Sequence, residues 1–218
     1  MCQLPFGCIF SLPACAHELS VEGRTMANEC SIQDFVQELR GVSKSQFTLE
    51  GVHEFLKKHP IDPSSLERYL FFRKSHYTRN LIDKSDLYEV LSICWETGQK
   101  SQIHNHRGQN CWMAVPLGRL MVQNYRIVGG KDGTEHCELA ESSRYWMDPT
   151  HPGKVEPQEP IHSVANPADL GQRAVSIHVY SFPYDACTIY FLEQKRSLEV
   201  PLHYSSKYGL LEPEERQD

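Results

Sequence analysis

The stretch "GQKSQIHNHRGQNCWMAVPLG", Gly98 to Gly118, places two histidines one residue apart, a cysteine five residues later and a glycine at each end. Residues i and i+2 of a strand point to one face, so the spacing predicts that His104 and His106 reach a single metal ion from one wall of a β structure. On spacing alone a surface pair or a pair of satisfied core histidines is the commoner explanation of such a motif. Cys111 admits two readings here, a fourth ligand closing a structural zinc site or a cysteine standing where a carboxylate would be expected.

Around this stretch the chain reads as mainly β. "LYEVLSICW", "CWMAVPL", "RLMVQNYRIV" and "AVSIHVYSF" are short β-branched and aromatic runs. "IDKSD", "ETGQKSQ", "VGGKDGTEH", "MDPTHPGK" and "ANPADLGQ" break them with turn residues. Three segments upstream read as helices: Ser31 ahead of Ile32, Phe35, Val36 and Leu39; Thr48 ahead of Leu49, Val52, Phe55 and Leu56; and a capping box of Ser64 and Glu67 around Leu66, Tyr69 and Leu70. The pattern predicts an antiparallel sandwich or small barrel with N-terminal helices packed at one end.

The chain has 218 residues, 40% of them hydrophobic, enough to bury one substantial core. Residues 30–209 are expected to form one domain, helical over 30–76 and β over 77–209, with a disordered leader over 1–29 and a flexible tail over 210–218. The leader's Ala14-Cys15-Ala16 mimics a cleavage site, but the segment lacks a basic start and is broken by Pro5 and Pro13, so a secretory signal is not expected. A net charge of −6 without a Lys/Arg run argues against a nucleic-acid or anionic-membrane partner. No apolar run reaches the roughly 20 residues that span a bilayer. The eight cysteines form no dense framework, which points to reduced thiols and a cytoplasmic location.

Two further patterns bear on a site. In "AVSIHVYSF", alternation puts Ser176, His178 and Tyr180 on one face and Val175, Ile177 and Val179 on the other; a half-exposed strand would look the same. In "HYTRNLID", Arg79 is either an exposed cation or a guanidinium fork for a substrate carboxylate.

The opening stretch reads G(x)5HxH(x)4C(x)6G and resembles the first motif of the cupin barrels, with Cys111 in the place of their glutamate. "EPIHSVAN" resembles the second motif through His162 and Asn166, although its glycines are missing. Together the two imply three imidazole ligands. Three neutral histidines leave a divalent ion near a charge of +2, suited to an added anionic ligand such as a thiolate.

More closely, "YTRNLID", "ICWETG", "IHNHRGQNC", "SIHVYSFPYDAC" and "HYSSKYG" occur in the order of the thiol dioxygenases, and the chain resembles cysteine dioxygenases from Phe35 to Gly209. The resemblance implies a small jelly-roll-like cupin β-barrel and Fe(II) held by His104, His106 and His162. It further implies oxidation of L-cysteine to cysteine sulfinate by O2, in cysteine catabolism and taurine or sulfate supply, by a monomer. By position, Arg79 and Tyr77 would hold the substrate carboxylate, Trp95 would shape the pocket and Cys187 would sit near its mouth. Tyr180 would lie beside thiolate and oxygen, with His178 and Ser176 holding its hydroxyl, and Cys111 would join Tyr180 in a thioether cofactor. Leu202 departs from the family's pattern near the pocket. A sister group acting on 3-mercaptopropionate lacks the arginine, so Arg79 favours cysteine; another small thiol, or a non-catalytic metal-binding cupin, is the alternative.

Overall fold

The computed structural model describes residues 29–213. Residues 1–28 and 214–218, where most of the expected leader and tail fall, lie outside the described residues. Two α-helices come first, α1 (Ile32–Gly41) and α2 (Leu49–Lys58). Ser31 caps α1 by accepting from the Asp34 backbone N–H, and Thr48 caps α2 by accepting from Gly51, as their sequence signals require. The third expected helix is instead a 3-10 segment, Pro63–Tyr69, capped by Asp62 rather than by Ser64. Asp62 accepts from the backbone N–H of Ser64, and Pro63 fills the first position, where a missing N–H costs nothing.

The strands run β1 (Thr78–Lys84), β2 (Glu89–Trp95), β3 (Ile103–His104), β4 (Asn110–Leu117), β5 (Leu120–Gly130), β6 (Cys137–Met147) and β7 (Gly153–Lys154). They continue as β8 (Ile161–Ala165), β9 (Ala174–Ser181), β10 (Ala186–Phe191), β11 (Arg196–Pro201), β12 (Ser206–Lys207) and β13 (Leu210–Leu211). One sheet has the order β13-β12-β1-β2-β9-β4-β7 and the other β11-β10-β3-β8-β5-β6. Pairing is antiparallel except between β1 and β12. This is the expected mainly β, jelly-roll-like class, two sheets face to face with few helices. Leu210 and Leu211, placed in the tail by sequence, pair with β12.

β9 lies at the centre of the first sheet and is buried along its whole length. Its Val175, Ile177 and Val179 join Val90, Trp112 and the apolar faces of α1 and α2 in one cluster. The helices therefore cover the outer face of this sheet. Trp112 anchors them: its Nε1 donates to the Leu49 carbonyl at 2.7 Å, and Phe47 meets its ring edge-on at 5.6 Å. The Arg40 guanidinium at the end of α1 pairs with Asp83, which also accepts from the Tyr88 hydroxyl. With the outer face covered by helices, the alternate residues of β9 turn inward.

Between the sheets a second cluster contains Leu91, Ile93, Trp95, Cys111, Met113, Val122, Val164 and Tyr180. Gly98 and Gly118, which frame the opening stretch, both have positive φ, +85° and +79°. At Gly118 a Cβ would stand 2.7 Å from the Arg173 carbonyl oxygen, so the turn from β4 to β5 excludes any side chain there.

Candidate metal centre and its pocket

His104 on β3 and His162 on β8 are register partners in the second sheet, and His106 follows β3. The two histidines of the motif thus do not share a strand, as the i, i+2 argument assumed. β3 ends at His104, and the chain turns through Arg107 (φ +53°) and Gly108 (φ +79°), yet the three rings still converge. Their centroids are 4.8 to 5.1 Å apart and nearly perpendicular. One ligand nitrogen from each lies within 4.8 Å of the others.

The hydrogen bonding of these rings fits a metal ion. His104 Nδ1 donates to the Gln102 carbonyl at 2.9 Å, which leaves Nε2 as the lone-pair donor. Both nitrogens of His106 and of His162 are buried without a partner. Burial above all holds His104 down to about 4, and it pushes His106 and His162 well below the usual histidine range. Neutral imidazoles with free lone pairs are what a divalent cation needs. Among the described residues this is the group of His, Cys, Asp and Glu with metal-ligand geometry, and Cys111 is not in it.

Cys111 instead faces Tyr180. The two are register partners across β4 and β9, and burial raises the Cys111 thiol far above its ordinary value. Both side chains are inaccessible, at 0% and 1% exposure, and Cys111 is a free thiol. Cys30, Cys94, Cys137 and Cys187 are free as well.

Behind Tyr180 runs a buried chain of hydrogen bonds. Trp95 Nε1 donates to Ser176 Oγ at 3.0 Å; Ser176 Oγ lies 2.9 Å from His178 Nε2; and His178 Nδ1 lies 2.9 Å from the Tyr180 hydroxyl. An indole N–H only donates, so Ser176 accepts from Trp95, and the one remaining partner for its own buried proton is His178 Nε2. With that assignment His178 donates from Nδ1 to the Tyr180 hydroxyl, whose own proton lies beside the Cys111 thiol. Burial, with Arg79 and His104 nearby, lowers His178 to about 3, so this imidazole is neutral.

Arg79 extends from β1 into the same space, with its Cζ 5.9 Å from the centre of the Tyr180 ring. Its Nε and Nη2 are buried without acceptors. Buried N–H donors of a charged group left without acceptors are costly, so these atoms mark a place for an anion. Tyr77 stacks on Trp95 at 4.6 Å, and Cys187 is 4% exposed, its thiol raised by burial and drawn back by Arg79. The structure thus brings together the residues singled out in the sequence.

Two pocket residues were not singled out in the sequence, although Tyr184 lies within the quoted stretch "SIHVYSFPYDAC". Tyr184 packs edge-on against Tyr180 at 5.2 Å and His106 at 6.1 Å. Glu89 is fully buried as the other register partner of Tyr180; its Oε2 accepts from the Tyr204 hydroxyl and its Oε1 has no partner. The residue falls at an alternating position of β2, where only the tertiary fold distinguishes an inward carboxylate from a solvated one.

Fold and site together define a jelly-roll-like β protein with a three-histidine candidate metal centre and, in the same pocket, an arginine whose Nε and Nη2 are buried and unpaired. The family model for cysteine dioxygenase type I matches residues 19–193, and the chain belongs to that family. Human cysteine dioxygenase type 1 is 25% identical over 169 residues, covering 77% of this chain and 82% of the human protein. The zebrafish (Danio rerio) protein of the same name is 22% identical over 187 residues, covering 85% and 91%. A solved cupin superfamily protein from Desulfitobacterium hafniense overlaps 58% of this chain and 93% of its own, with 13% identity and a TM-score of 0.40, a slight likeness. Among the described residues no helix is long and apolar enough to cross a membrane. Membership of this family supports thiol dioxygenase activity.

Proposed function

We propose that the protein is an Fe(II) enzyme that converts L-cysteine and O2 to cysteine sulfinate, both oxygen atoms adding to the sulfur, as a cytoplasmic monomer in cysteine catabolism and taurine or sulfate supply. His104, His106 and His162 would hold the iron, which supplies a meeting place for thiolate and O2 when bound. The observation that carries this reading is the pairing of orphaned imidazole nitrogens with an orphaned guanidinium in one pocket.

The side chains divide the work. Arg79 pairs with the substrate carboxylate, and Tyr77, stacked on Trp95, backs it. Holding reactants in one orientation removes several kcal/mol of barrier in well-aligned reactions, about 7 or more at the upper end. Tyr180 presents its O–H to the oxidised sulfur or to oxygen, and His178 and Ser176 keep that proton aimed. Cys111 leaves the ligand position without charge, which favours an anionic thiolate, and its cross-strand position supports a thioether to Tyr180. Cys187 lines the mouth of the pocket.

The test is anaerobic loading with Fe(II), followed by oxygen uptake and product identification with L-cysteine and 3-mercaptopropionate. Stoichiometric cysteine sulfinate is expected. A fully loaded protein that consumes no O2 with cysteine overturns the proposal, and faster turnover of 3-mercaptopropionate moves the substrate assignment.

A further inference from the structure

Asn105 sits between the two histidines of the motif, but its side chain enters the outer face of the second sheet. There it is 7% exposed, beside a cluster of Tyr125, Cys137, Leu139, Ile161 and Tyr190. Its amide is fully used. Nδ2 donates to the Tyr190 hydroxyl at 2.9 Å and to Asp132 Oδ2 at 3.2 Å. Oδ1 accepts from the backbone N–H groups of Arg107 and Thr188, both at 3.2 Å. The Tyr190 hydroxyl donates to Asp132 Oδ1 at 2.5 Å, which closes a ring of three side chains drawn from the segment after β3, from β10 and from the β5–β6 connection.

The site has a need that this ring meets. Metal-binding imidazoles are ordinarily oriented by a hydrogen bond to the second nitrogen, and His106 has no such partner. Its placement depends on the backbone, which turns immediately after it through Arg107 at φ +53°, a left-handed conformation that a residue other than glycine resists. Asn105 bonds the N–H of that strained residue and ties the turn to β10.

We propose that Asn105, clamped by Tyr190 and Asp132, is the positioning residue of the metal centre, setting where His104 and His106 stand without touching the ion. The inference rests on the three-histidine cluster being a metal site. Groups hydrogen-bonded directly to metal ligands change affinity by about 10- to 100-fold when removed, and a residue that sets the ligands' backbone is expected to act on the same scale.

The experiment titrates the metal-free full-length protein with Co(II) under anaerobic conditions, following the visible ligand-field spectrum and the dissociation constant. Asn105→Ala is expected to weaken Co(II) binding by about 10- to 100-fold and to shift the spectrum. Tyr190→Phe should act in the same direction, and it decides the matter if Asn105→Ala does not fold. Leu139→Ala, in the same outer cluster but outside the hydrogen-bonded ring, should lower thermal stability and leave affinity and spectrum unchanged. Wild-type affinity and spectrum in both Asn105→Ala and Tyr190→Phe would overturn the proposal, as would an equal loss in Leu139→Ala. Failure of the wild type to bind Co(II) would instead refute the metal site itself.

Discussion

Cys111 and Tyr180 stand opposite each other on β4 and β9, in register, with both side chains in the space between the sheets. Opposed residues of an antiparallel pair have Cβ atoms about 4.5–5.5 Å apart, within reach of a bond between cysteine sulfur and a tyrosine ring carbon. Forming that thioether removes one hydrogen from sulfur and one from the ring, with O2 taking up the electrons. Intact mass after iron loading and repeated turnover should therefore fall by two hydrogen atoms in the wild type and stay unchanged in Cys111→Ser. An unmodified wild type would show that the pair only packs.

Arg79 is tested by its substrate. Replacing it with Gln removes a charge-assisted pairing of about 1.5–3 kcal/mol, so KM for L-cysteine should rise on the order of 10- to 100-fold. 3-Mercaptopropionate also carries a carboxylate but lacks the amine that fixes the substrate's orientation, so it uses Arg79 less well and its rise should be much smaller; an equal rise for both would reject the assigned role.

His178 gives the metal-free protein a defined acid dependence. Its folded value, lowered to about 3 by burial and by Arg79 and His104, lies below the ordinary histidine value of 6.5, so between these limits the unfolded chain binds the extra proton. The contribution is fully present above about pH 6.5 and is lost as the pH falls toward 3. Urea denaturation of wild type and His178→Gln across that range should show a shallower slope for the variant, by up to one proton. Identical slopes would mean that His178 is not buried as a neutral ring.

Trp112 reports on the helical cover. It is completely buried and bonded to α2 through Leu49, so Trp112→Ala should cost about 3–5 kcal/mol in chemical denaturation. A loss below about 1 kcal/mol would indicate that the helices dock independently of it.

Much of this molecule can be read locally. Helix starts at Ser31 and Thr48 depend on capping groups within a few residues, and the alternation in β9 depends on strand geometry alone. The same local rule misplaced His106, because it assumed a strand where the chain turns, and it gave a capping box where Asp62 and Pro63 start a tighter helix. Family resemblance supplied His162 and chose between the two readings of Arg79; no spacing rule connects them to the opening motif, since the strands that bring them together are far apart in sequence.

The stretch from Gly98 to Gly118 by itself determined a paired-histidine motif framed by two turns, because glycine tolerance of positive φ and the chemistry of imidazole are properties of single residues. Tertiary structure decided which face of β9 is the inner one, that Cys111 meets Tyr180 rather than the histidines, that Glu89 and Tyr184 enter the pocket, and that Asn105 is clamped behind the site. The physical reason is burial. Whether a polar group is solvated, paired or left waiting for a ligand depends on what the rest of the chain packs against it, and no local pattern carries that information.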